Sequence, residues 1–129
     1  MIDHLGITAR DFAASRLFYE RALAPLGMEV IMTVGKDETG GYEGAGFGAL
    51  GKPCFWVQSV PNGQVSGVHV AFAASDRSAV DAFYEAALTA GGRDNGAPGL
   101  RPHYHPNYYG AFVLDPDGNN IEAVCHRPA

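Results

Sequence analysis

The chain is poor in cysteine, tryptophan and positive charge: its 129 residues include two Cys, one Trp and nine Lys plus Arg against fourteen Asp plus Glu. Two cysteines cannot staple a domain of this size. Cys54 in "PCFWV" and Cys125 in "EAVCH" sit in apolar contexts and read as buried thiols. The net charge of −5 excludes the basic face that nucleic acid needs, and disfavours anionic membrane surfaces. No apolar run approaches a membrane span. The opening "MIDHLGITARD" carries Asp3 and His4 where a secretion signal would need a basic start and an apolar stretch, so a soluble cytoplasmic protein is expected. What the chain does have is apolar residues, 47% of the total, enough for a packed core.

It also repeats itself. "DHLGITARDFAASRLFYERAL" aligns without a gap on "VHVAFAASDRSAVDAFYEAAL" at an offset of 65 residues. His4 falls on His69, Asp11 on Asp76, and Phe18-Tyr19-Glu20 on Phe83-Tyr84-Glu85; farther on, the same offset carries Phe47 onto Phe112. Duplication predicts two modules, residues 1–62 and 66–126, joined at "VPNGQVSG". Each opens with a short alternating strand. An aspartate follows at a helix N-cap position, then apolar residues at helical spacing. Three further strands are expected after each helix, at about 28–34, 42–49 and 54–60, then at about 93–98, 108–114 and 120–126. "DPDGN" at 115–119 is a tight turn between the last two. The fold class is therefore α+β, two repeated βαβββ modules.

Strand alternation groups the polar candidates. His4, Gly6 and Thr8 share one face of the first strand, and His69, Ala71 and Ala73 one face of its repeat. The opposite faces carry bulk and belong under the helices. Glu122 stands in the apolar stretch "NNIEAVC". A carboxylate buried there needs a partner, and two imidazoles holding a divalent ion would supply one.

With its duplicated histidines, its strand–helix plan and "LDPDGNNIEAV" near the end, the chain resembles the vicinal oxygen chelate superfamily. That group includes glyoxalase I, fosfomycin resistance proteins, extradiol dioxygenases, methylmalonyl-CoA epimerase and bleomycin resistance proteins. The resemblance covers nearly the whole chain. It implies half-barrel modules around a metal and substrate cleft, with one divalent ion (Fe, Mn, Ni or Zn) held by His4, His69 and Glu122. It further implies a small-molecule substrate that chelates the ion through neighbouring oxygens, in a lyase, isomerase, thiol transferase or dioxygenase reaction. Glu122, or a histidine in 103–105, would serve as a proton acceptor. It implies a homodimer too, with His4 from one subunit and His69 with Glu122 from the other. Glyoxalase I uses a fourth ligand in its first module. Here the offset from Glu122 lands on Val57, or on Trp56 with a slip of one, and neither binds metal. The three-ligand set is closer to the fosfomycin resistance and dioxygenase branches. The alternative is a metal-free protein of the bleomycin resistance type that sequesters an aromatic or cationic compound.

Two other stretches invite chemistry. "GFGALGKP" at 46–53 mimics nucleotide-binding loops, but Pro53 and the strand-like "CFWVQ" stand where a helix would have to begin, so it is read as turns. "RPHYHPNYYG" at 101–110 looks like a metal box, yet its prolines suit a loop over a cavity mouth. Arg101, His105, Asn107, Tyr108 and Phe112 are expected to contact substrate there, with Trp56 and Phe47 from the first module.

Overall fold

The computed structural model describes residues 1–60, 64–65 and 67–129, so half of the expected linker (61–63 and 66) lies outside the described residues. Each half folds as one sheet and one long helix. In the first, β1 (Leu5–Ala9) leads into α1 (Phe12–Leu23), followed by a short 3-10 turn (Ala24–Leu26), β2 (Glu29–Val34), the four-residue α2 (Lys36–Thr39), β3 (Gly44–Ala49) and β4 (Lys52–Ser59). In the second, β5 (His69–Ala73) leads into α3 (Arg77–Thr89), then β6 (Arg93–Leu100), β7 (Tyr109–Leu114) and β8 (Asn120–Cys125). The sheet orders are β1-β4-β3-β2 and β5-β8-β7-β6. The first strand of each half pairs parallel with the last, and the other pairs are antiparallel. The two-module plan is thus observed, with each sheet open rather than closed into a barrel.

Both helices begin where the aspartates stand. Asp11 accepts from the Ala14 amide at 3.1 Å and Asp76 from the Ala79 amide at 2.8 Å, each satisfying an amide that the first helical turn leaves free. The four-residue α2 and the 3-10 turn after α1 were not anticipated. Helix α2 closes through Glu38, which accepts from the Gly35 amide at 3.1 Å.

One core serves both halves. Phe18, Tyr19, Ala22 and Leu23 of α1 and Val80, Phe83 and Ala87 of α3 are buried together with Phe47, Phe55, Val57, Val113 and Ile121 from the sheets. Aromatic rings link the modules: Phe18 meets Tyr19 at 4.9 Å, Tyr19 meets Phe55 at 5.0 Å, and Phe55 meets Phe72 of the second module at 5.2 Å. Edge-on contacts of this kind add to the apolar burial. Because both sheets turn their helix-covered sides to this shared core, their other faces point outward on separate sides of the chain.

The segment 115–119 joins the halves with polar contacts. Asp115 is buried and accepts from the Tyr19 hydroxyl at 2.5 Å, from Asn119 Nδ2 at 2.8 Å and from the backbone amides of Asp117 and Asn119 at 2.9 and 2.8 Å. Asn119 Oδ1 accepts from the Val68 amide at 3.0 Å, at the entrance to β5. Asp117 takes the Arg10 amide at 3.3 Å and the Ser15 hydroxyl at 3.4 Å, beside the start of α1. The turn foreseen between two strands is therefore also the polar latch between modules.

Cys125 is buried as expected, but Cys54 is exposed. The correction has a local cause. In the β3–β4 ladder Phe47 pairs with Phe55 and Gly48 with Pro53, leaving Cys54 as the extra residue of a bulge. Among the described residues no helix is long and apolar enough to cross a membrane.

Candidate functional site

The outward face of the second sheet gathers His69, Tyr104, Tyr108, Phe112, Asn120 and Glu122 around an open cleft of about 520 Å³. Alternation puts them together: Ala71 pairs with Glu122 and Phe112 with Glu122, so His69, two residues before Ala71, projects on the same side. Glu122 is 1% exposed. Its Oε1 lies 3.2 Å from His69 Nε2, and its Oε2 accepts from the Tyr108 hydroxyl. His69 Nδ1 lies 3.0 Å from the Asn120 carbonyl, which can only accept, so the ring proton of a neutral His69 sits on Nδ1. Nε2 then turns a lone pair toward a carboxylate oxygen. Two acceptors at that distance require a cation between or beside them, whether a proton or a metal ion. The donor set therefore fits a divalent ion. The Nδ1 bond to a carbonyl is the support a ligating histidine needs. The His69 ring also stacks on Phe112, centroids 6.3 Å apart. Burial, then the hydrogen bond to Glu122, pushes the Tyr108 phenol up to about 12, so it stays a donor at neutral pH.

His4 stands on the other outward face. It lines a cleft of about 650 Å³ with Asp3, Gly6, Met32, Val34, Tyr42, Lys52, Pro53, Trp56 and Gln58. His4 Nδ1 is 2.7 Å from Asp3 Oδ2, and Asp3 also pairs with Lys52. The Asp3 carboxyl is held below the usual range by these two hydrogen bonds, His4 first. This half thus offers an imidazole held at Nδ1 by Asp3, on an aromatic and thioether wall. Among the described residues no three His, Cys, Asp or Glu side chains come together within one chain. His69 and Glu122 are brought together; His4 is not.

The register corrects the repeat beyond the helices. Leu5 pairs with Phe55 as Val70 pairs with Ile121, and Gly6 with Trp56 as Ala71 with Glu122. The offset is 65 in the first strand but 66 in the last (121 − 55), because the first module is one residue shorter between them. The counterpart of Glu122 is Trp56, and that of Phe112 is Gly46, since Gly46 pairs with Trp56 as Phe112 pairs with Glu122. Phe47 accordingly points the other way. It is fully buried beneath α1, 6.2 Å from Tyr19 and 6.3 Å from Phe55, and does not line a cleft. Gly46 is what the cleft needs: a Cβ there would meet the Trp56 ring at 2.8 Å, so its absence lets the indole lie across the strand.

Tyr108 and Phe112 line the cleft of the second sheet, and Trp56 the other. Arg101, His105 and Asn107 line neither. Arg101 donates to the carbonyls of Gly99 and Ala97, both at 2.8 Å, and lies over Phe112 at 5.5 Å, so its guanidinium braces its own loop. His105 Nδ1 accepts from the Asn107 amide at 3.1 Å, and its ring meets His126 at 5.5 Å. The residues the sequence did not single out are Asn120, whose carbonyl orients His69, and the pair Asp3 and Lys52 beside His4; Tyr104, which the sequence offered as a polar contact of the 101–109 loop, lines the cleft of the second sheet. Proximity to the histidines in sequence was the available signal for Asp3.

The model of the Glyoxalase/Bleomycin resistance protein/Dioxygenase superfamily matches residues 1–123. The chain belongs to that superfamily. It is similar to a glyoxalase/bleomycin resistance protein from Albidiferax ferrireducens T118, with 28% identity, a TM-score of 0.75 and 97% of each chain covered. It is also similar to a glyoxalase I mutant from Zea mays, with 25% identity, a TM-score of 0.72, and 95% of this chain matched to 46% of that one. A family enzyme from Burkholderia phytofirmans PsJN shares the fold over 98% of both chains, with 22% identity and a TM-score of 0.68. No curated protein matches the chain. The superfamily thus includes enzymes such as glyoxalase I, and the vicinal oxygen chelate plan accounts for the paired modules.

Proposed function

We propose that the chain is a divalent-metal-dependent enzyme acting on a small substrate with two neighbouring oxygens, at a site completed by two protomers. The observation that carries this is the His69–Glu122 pair, an imidazole nitrogen 3.2 Å from a buried carboxylate oxygen, with a second histidine, His4, on the chain's other outward face. A two-fold dimer that sets the first module of one protomer against the second module of its partner would join each open sheet to another. Each of its two equivalent sites would combine His4 from one protomer with His69 and Glu122 from the other.

Two imidazoles and one carboxylate would hold Fe, Mn, Ni or Zn and leave coordination positions open. Trp56 occupies the place equivalent to Glu122, so the first module offers no fourth ligand. When bound, such an ion polarises the oxygens of the substrate and stabilises negative charge developing on them. The chain's own groups do the rest. Trp56, Tyr42 and Met32 on one wall, with Phe112 and Tyr104 on the other, would exclude water and hold an apolar body against the polar centre. Glu122 Oε1 would take a proton there only on leaving the ion, so it would serve as ligand and as base in turn.

The test is a mixing experiment. His4→Ala and His69→Ala proteins are unfolded and refolded together, and bound metal is measured in the heterodimer. Each heterodimer should contain one site with both lesions and one intact, so about half the wild-type metal content returns. Heterodimers without recovered metal would show that the sites are not shared. Wild-type protein with no more metal than His69→Ala would remove the metal centre. The aromatic lining of the first cleft favours a second possibility, a metal-free binder of an aromatic compound. Ligand binding that a chelator and Glu122→Gln leave unchanged would establish it.

A further inference from the structure

We propose that Tyr108 is a positioning residue for Glu122: its phenol fixes Oε2, so that Oε1 alone is presented beside His69 Nε2 to the cation the pair holds. This rests on the proposed metal centre and adds a feature to it.

A buried carboxylate with both oxygens free can rotate, chelate through both, or exchange one for the other. Glu122 cannot do so while Tyr108 donates to Oε2. The phenol is itself held from several sides. The Tyr108 amide donates to the His105 carbonyl at 3.0 Å, and its carbonyl accepts from the Arg101 amide at 2.7 Å. Its ring meets Tyr104 edge-on at 5.0 Å and His126 at 5.2 Å. The 101–107 loop, which looked like a metal box, is thus the frame that seats this ring.

Gly110 supplies an independent observation. A Cβ at that position would lie 3.2 Å from the Tyr108 ring and 3.3 Å from Glu122 Oε2, tight against both partners of the bond at once. The bare backbone leaves room for the phenol and the carboxylate to meet. Next on the same face is Phe112, which stacks on His69. One strand face therefore organises both candidate ligands: Tyr108 and Gly110 the carboxylate, Phe112 the imidazole. The first module repeats the beginning of this device. Tyr42 precedes Gly44 as Tyr108 precedes Gly110, but Trp56 stands where the carboxylate would be. The Tyr108 hydroxyl is consequently spent on Glu122, not free for a substrate oxygen.

The experiment measures the affinity of the metal-free full chain for Mn²⁺ by calorimetry, with the spin-resonance spectrum of the bound ion as a second readout. Tyr108→Phe should weaken Mn²⁺ binding about 10- to 100-fold, the usual effect of losing a group that orients a ligand, and alter the zero-field splitting. Gly110→Ala, which keeps the hydroxyl but displaces it, should move both readouts in the same direction. Tyr109→Phe, whose hydroxyl bonds Asp81 elsewhere, should change neither. Glu122→Gln is measured alongside. If it abolishes binding while folded Tyr108→Phe, or Gly110→Ala where Tyr108→Phe does not fold, stays within twofold of wild type with an unchanged spectrum, Tyr108 does not position the carboxylate. If Glu122→Gln also leaves affinity unchanged, Glu122 is no ligand and the proposed centre falls with it.

Discussion

Replacing Tyr19 by phenylalanine tests whether the 115–119 segment latches the modules together. The ring is fully buried and its hydroxyl donates to Asp115 at 2.5 Å. Phenylalanine fills the same space, so the change removes a hydrogen bond without opening a cavity. A bond to a charged acceptor contributes about 1.5–3 kcal/mol. Asp115 keeps Asn119 Nδ2 at 2.8 Å on the same oxygen and two backbone amides on the other, which places the loss in the lower half, about 1.5–2 kcal/mol. For a domain of this size that corresponds to about 5–10 °C in Tm. Urea unfolding should show a lowered midpoint at unchanged slope. The pH dependence gives a second measure. Burial first, then the Asp115 charge, holds the Tyr19 phenol well above its ordinary value. A group whose pKa is raised by folding contributes stability that is whole below its unfolded pKa, about 10, and is lost as pH rises through the folded pKa. Wild-type stability should therefore decline above about pH 10 more steeply than that of Tyr19→Phe. Parallel declines, or a loss below about 0.5 kcal/mol at neutral pH, would show that Asp115 does not depend on Tyr19 and that the latch is misassigned.

The two faces of the β3–β4 hairpin should respond differently to truncation. Phe47→Ala should cost about 3–5 kcal/mol in urea unfolding, while Trp56→Ala should cost less; comparable losses would contradict the register. Leu50 is fully exposed at a φ of 55° in the hairpin turn, followed by Gly51 at 78°, so Leu50→Asn should raise stability by about 1 kcal/mol. No gain in the urea midpoint would mean that the turn relaxes around leucine without cost. In native protein a thiol reagent should modify Cys54 promptly and Cys125 only on unfolding; equal rates, followed by peptide mapping, would contradict the bulge that exposes Cys54.

The elements of this fold were legible because local chemistry repeats locally. Asp11 and Asp76 cap their helices whatever the modules do to one another, and "DPDGN" turns because its own backbone must. Glu122 was legible for a different reason: an isolated carboxylate among apolar strand residues is costly, so it demanded a partner, and His69 with Tyr108 supply one. Phe47 was misread because an ungapped offset of 65 was extended past the point where it holds. One residue fewer in the first module turns every later side chain to the opposite face, since a strand alternates with a period of two. That single residue exchanges Phe47 for Gly46 as the counterpart of Phe112, and Val57 for Trp56 as the counterpart of Glu122. Periodicity cannot reveal such a slip, because both registers put an apolar residue on each face; only the pairing of Gly6 with Trp56 decides it. The separation of His4 from His69 was implied by the family resemblance, with its site shared between subunits, but not by the repeat itself. A repeat says that two positions are equivalent, not where one module stands relative to the other. That placement is set by the rings running from Phe18 through Tyr19 and Phe55 to Phe72, and by Asp115 reaching Tyr19 across the modules. Those contacts bury the helix-covered sides of both sheets in one core, and so direct two equivalent histidines away from each other, each onto a face that a second protomer could complete.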